Sequence, residues 1–148
     1  METINKSLEM QSGVDRIWEI LTATDEESKY WTYVKDIKVL STDGNTIERE
    51  ATVGPNPFSQ RSRQTIVLDP KNSIKLELKG ETIVGNRTIV LVSTGKNSTK
   101  VDVQWRFEMK DVPGFVQGIV KNQFSRVTEK ALAKIAEDAE RAAIQKGA

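Results

Sequence analysis

The sequence holds no cysteine and no histidine among its 148 residues. Without cysteine there is no disulfide, and without either residue zinc cannot be held by thiolate or imidazole. Catalysis by cysteine–histidine or serine–histidine pairs is excluded on the same ground. A surplus of charge is missing as well, since 22 Lys and Arg stand against 21 Asp and Glu, leaving +1. Nucleic-acid binding draws on a basic excess to displace counterions, so no nucleic-acid partner is expected. No stretch approaches the roughly 18 apolar residues of a membrane span. The N-terminal METINKSLEMQ alternates polar and apolar residues and lacks the apolar centre of a secretion signal. The expectation is a soluble, cytoplasmic chain that needs no metal or cofactor.

What is present is ordinary globular material, 37% apolar and 29% charged. The length suits one domain over 1–148, burying roughly 70% of the surface its unfolded chain exposes. Ile4, Leu8 and Met10 share one parity, with Lys6 as the polar exception, and predict a half-buried strand. Ser12 precedes Val14, Ile17, Trp18 and Leu21, whose spacing of three and four predicts a helix. Thr24-Asp25-Glu26-Glu27 opens a second short helix, with acids where the helix dipole favours them, ending near Trp31.

From Asp36 to Lys110 the period changes to two. Ile74, Leu76 and Leu78 alternate with Lys75, Glu77 and Lys79, and Val101, Val103, Trp105, Phe107 and Met109 alternate with polar residues. Turns are marked by Asp43-Gly44-Asn45, Asp69-Pro70-Lys71-Asn72 and Thr94-Gly95-Lys96-Asn97, and Gly54-Pro55-Asn56-Pro57 breaks a strand. Thr88 to Thr94 is apolar or β-branched at every position but Ser93, which predicts a strand covered on both faces. After Pro113 a stripe of Val116, Val120, Phe124, Val127, Leu132, Ile135 and Ala139 predicts a helix to about Gln145, roughly 50 Å long at 1.5 Å per residue.

Strand, two short helices, six strands and a long helix make an α+β chain. Short turns imply antiparallel pairing, with the first strand placed beside the last. One helix about 10 Å wide cannot cover a sheet whose strands lie about 4.8 Å apart. The sheet must curl around it or leave a cavity beside it.

Ile17-Trp18 on the first helix, Trp31 with Val34 and Ile37 entering the second strand, and the long helix after Asp111-Val112-Pro113-Gly114-Phe115 resemble the Bet v 1-like superfamily, also called START-like or SRPBCC domains. The similarity spans essentially the whole chain. The stretch from Gly54-Pro55 to Leu68-Asp69-Pro70 is similar to the CoxG-like and polyketide-cyclase-like branches. The resemblance implies a helix-grip fold, a curved seven-stranded antiparallel sheet around a long C-terminal helix. It also implies a cavity for lipids, polyketides, hormones or other apolar molecules. Some members are enzymes, and others act as carriers or partner-binding modules.

The candidate ligand-lining set is Trp31, Phe58, Leu76, Trp105, Phe107, Phe115, Ile119 and Phe124, each of which also reads as plain core. Arg49 shares parity with Ile47, Ala51 and Val53, so it points to the concave face. There it would meet a ligand carboxylate or phosphate, or pair with a glutamate of the chain. Arg61, Arg63, Lys71, Lys75 and Lys79 fall on the outer face, where a solvated surface is expected. Gly118, one turn after Gly114, suggests close approach of a ligand or strand. No carboxylate stands among residues that would shift its pKa, and no acid–base pair is visible.

Three functions follow. The first is binding or carriage of an apolar or amphipathic small molecule (a lipid, fatty acid or polyketide-like compound) by a monomer or weak homodimer. The second is an enzyme of the polyketide cyclase or aromatase kind, with Arg49 or Tyr33 assisting proton transfer. The third is a protein-interaction module with a filled core.

Overall fold

The computed structural model describes residues 2–54 and 59–147. Strand β1 (Glu2–Met10) leads into helix α1 (Val14–Leu21) and a 3-10 helix (Thr24–Lys29). Strands β2 (Val34–Asp43), β3 (Thr46–Val53), β4 (Gln60–Asp69), β5 (Ser73–Gly80), β6 (Ile83–Gly95) and β7 (Ser98–Met109) follow, and helix α2 (Gly114–Gly147) closes the chain. The sheet has seven strands in the order β1-β7-β6-β5-β4-β3-β2, each antiparallel to its neighbour. The first strand therefore lies beside the last, with Ile4 opposite Trp105. The fold is the helix grip that the order of elements predicts.

The period-two pattern sets which face is buried. Ile74, Leu76 and Leu78 of β5 and Val101, Val103, Trp105 and Phe107 of β7 point into the core, while Lys75, Glu77, Lys79, Gln104, Arg106 and Glu108 are exposed. Strand β6 departs from expectation. Ile89 and Leu91 are buried, but Val90 and Val92 are exposed, so the strand is covered on one face and not on two. The helices pack on the concave face, α1 against β6 and β7 and α2 against β1 and β7. The β-branched residues on the outer face fit an open pleat by shape. Leu8 is likewise exposed on β1.

Curvature has a local cause at Gly85, opposite Phe107 in the β6–β7 ladder. A Cβ added there would stand 2.2 Å from the Arg106 carbonyl oxygen and 2.6 Å from the Phe107 Cβ. Only glycine lets the two strands approach so closely as the sheet coils. Gly118 lacks such a reason, because a Cβ there meets nothing within 4 Å.

Helix α2 buries Val116, Val120, Phe124, Thr128, Ala131, Ile135 and Ala139, a line of steps of three and four, with Leu132 and Ala136 buried beside it. The Pro113 carbonyl accepts its first hydrogen bonds, from the amides of Val116 and Gln117 at 3.0 and 3.1 Å. Polar ties then fix the helix along β1. Lys121 pairs with Glu2 at 2.9 Å, Lys6 with Glu129, and the Gln11 amide donates to Glu140 at 2.9 Å. Tyr30, just beyond the 3-10 helix, donates to Asp138 at 2.8 Å and ties that corner to the far end of α2.

Two substitutions test this architecture. Gly85→Ala should destabilise the chain by about 1–3 kcal/mol, the usual range for overpacking, as read by urea unfolding; a neutral result would mean that the β6–β7 approach is looser than described. Trp105→Ala should lower stability by about 3–5 kcal/mol, and a thermal midpoint that hardly moves would contradict its burial.

Candidate functional site

The concave face carries charge at its centre. Glu27 projects from the 3-10 helix into the interior, where its side chain is 6% exposed. Arg49 on β3 is fully buried, and Arg87 on β6 is 2% exposed. Both guanidinium groups converge on the one carboxylate. Arg49 Nη2 donates to Glu27 Oε2 at 3.2 Å, while Arg87 Nη1 and Nη2 donate to Oε2 and Oε1 at 3.1 and 3.3 Å. Arg49 is held further by Gln64 Oε1 at 2.7 Å from its Nε and by the Thr24 carbonyl at 2.9 Å from its Nη1. Gln64 lies directly opposite Arg49 in the β3–β4 ladder. Its amide donates to Ser62, whose hydroxyl donates to the Ala51 carbonyl at 3.0 Å, so the inward polar residues of β4 are themselves satisfied.

Arg87 sits between two indoles. Its guanidinium carbon is 4.6 Å from the centre of the Trp31 ring and 5.5 Å from that of Trp105, within cation–π range. Beyond Trp105 the rings continue into α2. Tyr33 lies 5.6 Å from Trp105 and 4.8 Å from Phe124, and Phe107 lies 5.1 Å from Phe124, all between ring centres. Three buried polar atoms in this group make no hydrogen bond of ordinary geometry: Arg87 Nε, Trp105 Nε1 and the Tyr33 hydroxyl, although Tyr33 and Arg87 stand close enough to interact and to favour the Arg87 cation. Buried polar atoms are nearly always satisfied, so three orphans among neighbours mark this part of the interior.

Of the residues expected to line a ligand site, Trp31, Arg49, Leu76, Trp105, Phe107 and Phe124 are all inward and buried. Phe58 lies outside the described residues. Phe115 and Ile119 are a correction, being 74% and 44% exposed on the first two turns of α2. Val116 and Val120, one position further on, take the inward line, and a step of one residue turns a helix by about 100°. Arg49 points inward as its parity requires, but it meets the chain's own glutamate. Glu27 and Arg87 are the residues that the pattern missed. Arg87 shares parity with Ile83, Ile89 and Leu91, the signal that located Arg49. Glu27 was masked by its neighbours in an acidic run. Among the described residues no cluster of His, Cys, Asp or Glu could hold a metal ion, and no helix is long and apolar enough to cross a membrane.

Electrostatics follow from the burial. Desolvation pushes the Glu27 carboxyl up, but Arg87 and Arg49 together outweigh it and hold the group below its ordinary 4.5. The Tyr33 hydroxyl is raised, chiefly by desolvation, and stays protonated at neutral pH. Arg87 is destabilised as a cation by burial but raised further by Glu27 and Tyr33. The unfolded Glu27 therefore takes up a proton before the folded one as pH falls. Its contribution to stability is complete above about pH 4.5 and is lost below it. Glu27→Gln leaves two buried guanidinium groups unneutralised and should lower stability by about 3–5 kcal/mol at neutral pH. Its urea-unfolding free energy should also fall less steeply into acid than that of the native chain. Equal acid slopes would show that Glu27 is not the group titrating there.

Residues 12–136 match the family described as polyketide cyclase/dehydrase and lipid transport. No curated protein matches by sequence. Among solved structures, the chain is similar to the Zhui aromatase/cyclase from Streptomyces sp. R1128, with TM-score 0.76 and 12% identity over 95% of this chain and 94% of that one. It is similar to a START superfamily protein from Mycobacterium smegmatis, with TM-score 0.75 and 20% identity over 94% and 97% of the two chains. Norcoclaurine synthase from Thalictrum flavum, in complex with dopamine and hydroxybenzaldehyde, aligns with TM-score 0.67 and 19% identity over 93% and 84%. At such identities these structures share the fold, and it is the match across 12–136 that places the chain in the polyketide cyclase/dehydrase and lipid transport family.

Proposed function

We propose that this chain binds and carries an apolar or amphipathic small molecule between the sheet and α2. Trp31, Leu76, Trp105, Phe107 and Phe124 would supply the apolar walls. The observation that carries this reading is the group of orphan polar atoms on Arg87, Tyr33 and Trp105 inside an otherwise apolar interior. A ligand site is typically apolar with a few polar groups that fix orientation, which is the composition found here. Affinity would come mainly from apolar burial, at about 0.8 kcal/mol per methylene. A cytoplasmic monomer or weak homodimer is the simplest setting for such a carrier.

The second reading is catalysis on a carbonyl-rich chain, favoured by the Tyr33 hydroxyl standing beside Arg87. Two donors of this kind polarise a carbonyl. Proton abstraction is harder to supply. Both Glu27 oxygens are engaged by guanidinium groups, its pKa is lowered, and the sequence has no histidine. The interior is thus better suited to hold an oxygen than to remove a proton, and carriage is the stronger reading.

Native mass spectrometry of the purified chain separates the outcomes. Carriage predicts a small molecule at up to one per chain, released unchanged on acid denaturation. A short poly-β-ketone mimic that returned cyclised would favour the enzyme. No co-purifying molecule, together with no thermal shift from dodecanoate, dodecanol or naphthalene derivatives, would count against an interior site of either kind.

A further inference from the structure

The three orphan atoms are of one chemical kind. Arg87 Nε and Trp105 Nε1 carry hydrogens and can only donate, and the Tyr33 hydroxyl donates or accepts. The Tyr33 oxygen can accept from a neighbour, and Arg87 stands close to it, but the three cannot all satisfy one another, because the Tyr33 hydrogen itself would still lack an acceptor. The carboxylate and amide oxygens of this cluster are in use: both Glu27 oxygens bind guanidinium groups, and Gln64 Oε1 binds Arg49. The charge count points the same way. Among the described residues the buried ionised groups are Glu27, Arg49 and Arg87, one anion for two cations. Among the described residues this cluster is therefore short of acceptors and short of negative charge in the same place.

We infer that the interior of this chain selects a small molecule whose polar end is an oxyanion, a carboxylate in its form stable at neutral pH, received by Arg87, Tyr33 and Trp105. The inference rests on the interior-binding reading and adds the chemical class of its ligand. A carboxylate brings two oxygens with about four lone-pair sites, enough for three donors, and restores neutrality to the cluster. A neutral alcohol accepts too, but brings a further hydrogen and leaves the excess charge in place. An ammonium adds a cation and a donor to a site that already has too many of both. Arg49 is not the receiving group, because Gln64, Thr24 and Glu27 already hold it in the floor of the site. Arg87 keeps its Nε edge free while its terminal nitrogens are fixed by Glu27, so it is both oriented and unsaturated.

Calorimetric titration at neutral pH with 2-naphthoate and with 2-naphthylmethanol tests this, the two differing only in the polar end. The native chain should bind the acid about tenfold or more tightly than the alcohol, the factor expected of a hydrogen bond to a charged group. Tyr33→Phe keeps the ring and removes one donor, so it should weaken the acid by about fivefold or more, and far more than the alcohol. The same variant should unfold at the same temperature or higher, because it deletes a buried hydroxyl that had no partner. Arg87→Met leaves Glu27 paired with Arg49 alone and should erase the preference for the acid; if that variant does not fold, Tyr33→Phe carries the test. Equal affinity of the native chain for acid and alcohol overturns the oxyanion assignment while leaving interior binding intact. Failure of both compounds to bind, with dodecanoate and dodecanol also inert, overturns the interior site itself.

Discussion

The Glu27 carboxylate joins parts of the chain that no backbone ladder connects. It comes from a 3-10 helix between α1 and β2 and receives Arg49 from β3 and Arg87 from β6, two strands separated in the sheet by β4 and β5. For both guanidinium groups to reach one carboxylate the sheet must be curled, and the 3-10 helix must lie across its hollow. Buried ion pairs of this sort seldom stabilise a fold more than a well-packed apolar core would, since desolvation offsets much of the attraction. What such a pair can do is choose between arrangements: a register slip of one residue in β3 or β6 sends an arginine to the outer face and leaves the glutamate with one partner. The triad thus holds the geometry of the hollow more than it deepens the energy well.

That geometry is prepared by small residues elsewhere. Gly85 lets β6 approach β7 closely, and the β2 edge carries register breaks between Lys35 and Lys38 and between Val39 and Ser41. Asp36, in the first of these, takes a positive φ of 50° and presents its carbonyl to Arg61 at 2.6 Å. Bulges of this kind bend a strand and blunt an exposed edge against further pairing. One helix of ordinary width can then close a seven-stranded sheet by lying in its trough, with the rings of Trp31, Tyr33, Trp105, Phe107 and Phe124 in a continuous line of contacts from Trp31 to Phe107.

The fold was legible because most strands have one wet face, so that β5 and β7 spell their orientation residue by residue. The same parity found Arg49. It would have found Arg87 too, but the β-branched run that follows Arg87 suggests a strand buried on both sides, and in such a strand parity carries no information. Glu27 could not be told from Asp25 and Glu26 beside it, because a single helical turn gives too short a period to say which acid faces in. Phe115 and Ile119 misled for a related reason. With Val116 and Val120 they form two adjacent apolar lines on α2, and only the packing against the sheet decides which line is buried. Distinguishing a core arginine from a binding arginine was beyond the sequence altogether, since it depends on which nitrogens are already bonded.

The orphan donors link these points to function through energy. A buried donor without a partner is destabilising by about 1–3 kcal/mol, and three neighbours in that condition are a standing penalty. Apolar substitutes of similar shape would remove it, phenylalanine for Tyr33 being the plainest case. A group that lowers stability and is easily replaced is most simply understood when something else restores its bond. A ligand that caps these donors recovers part of the penalty on binding, beyond what its apolar body gains from burial. On the proposed reading, affinity and folding stability are coupled at the same three side chains: a change that relieves the penalty there also removes part of what a ligand would gain.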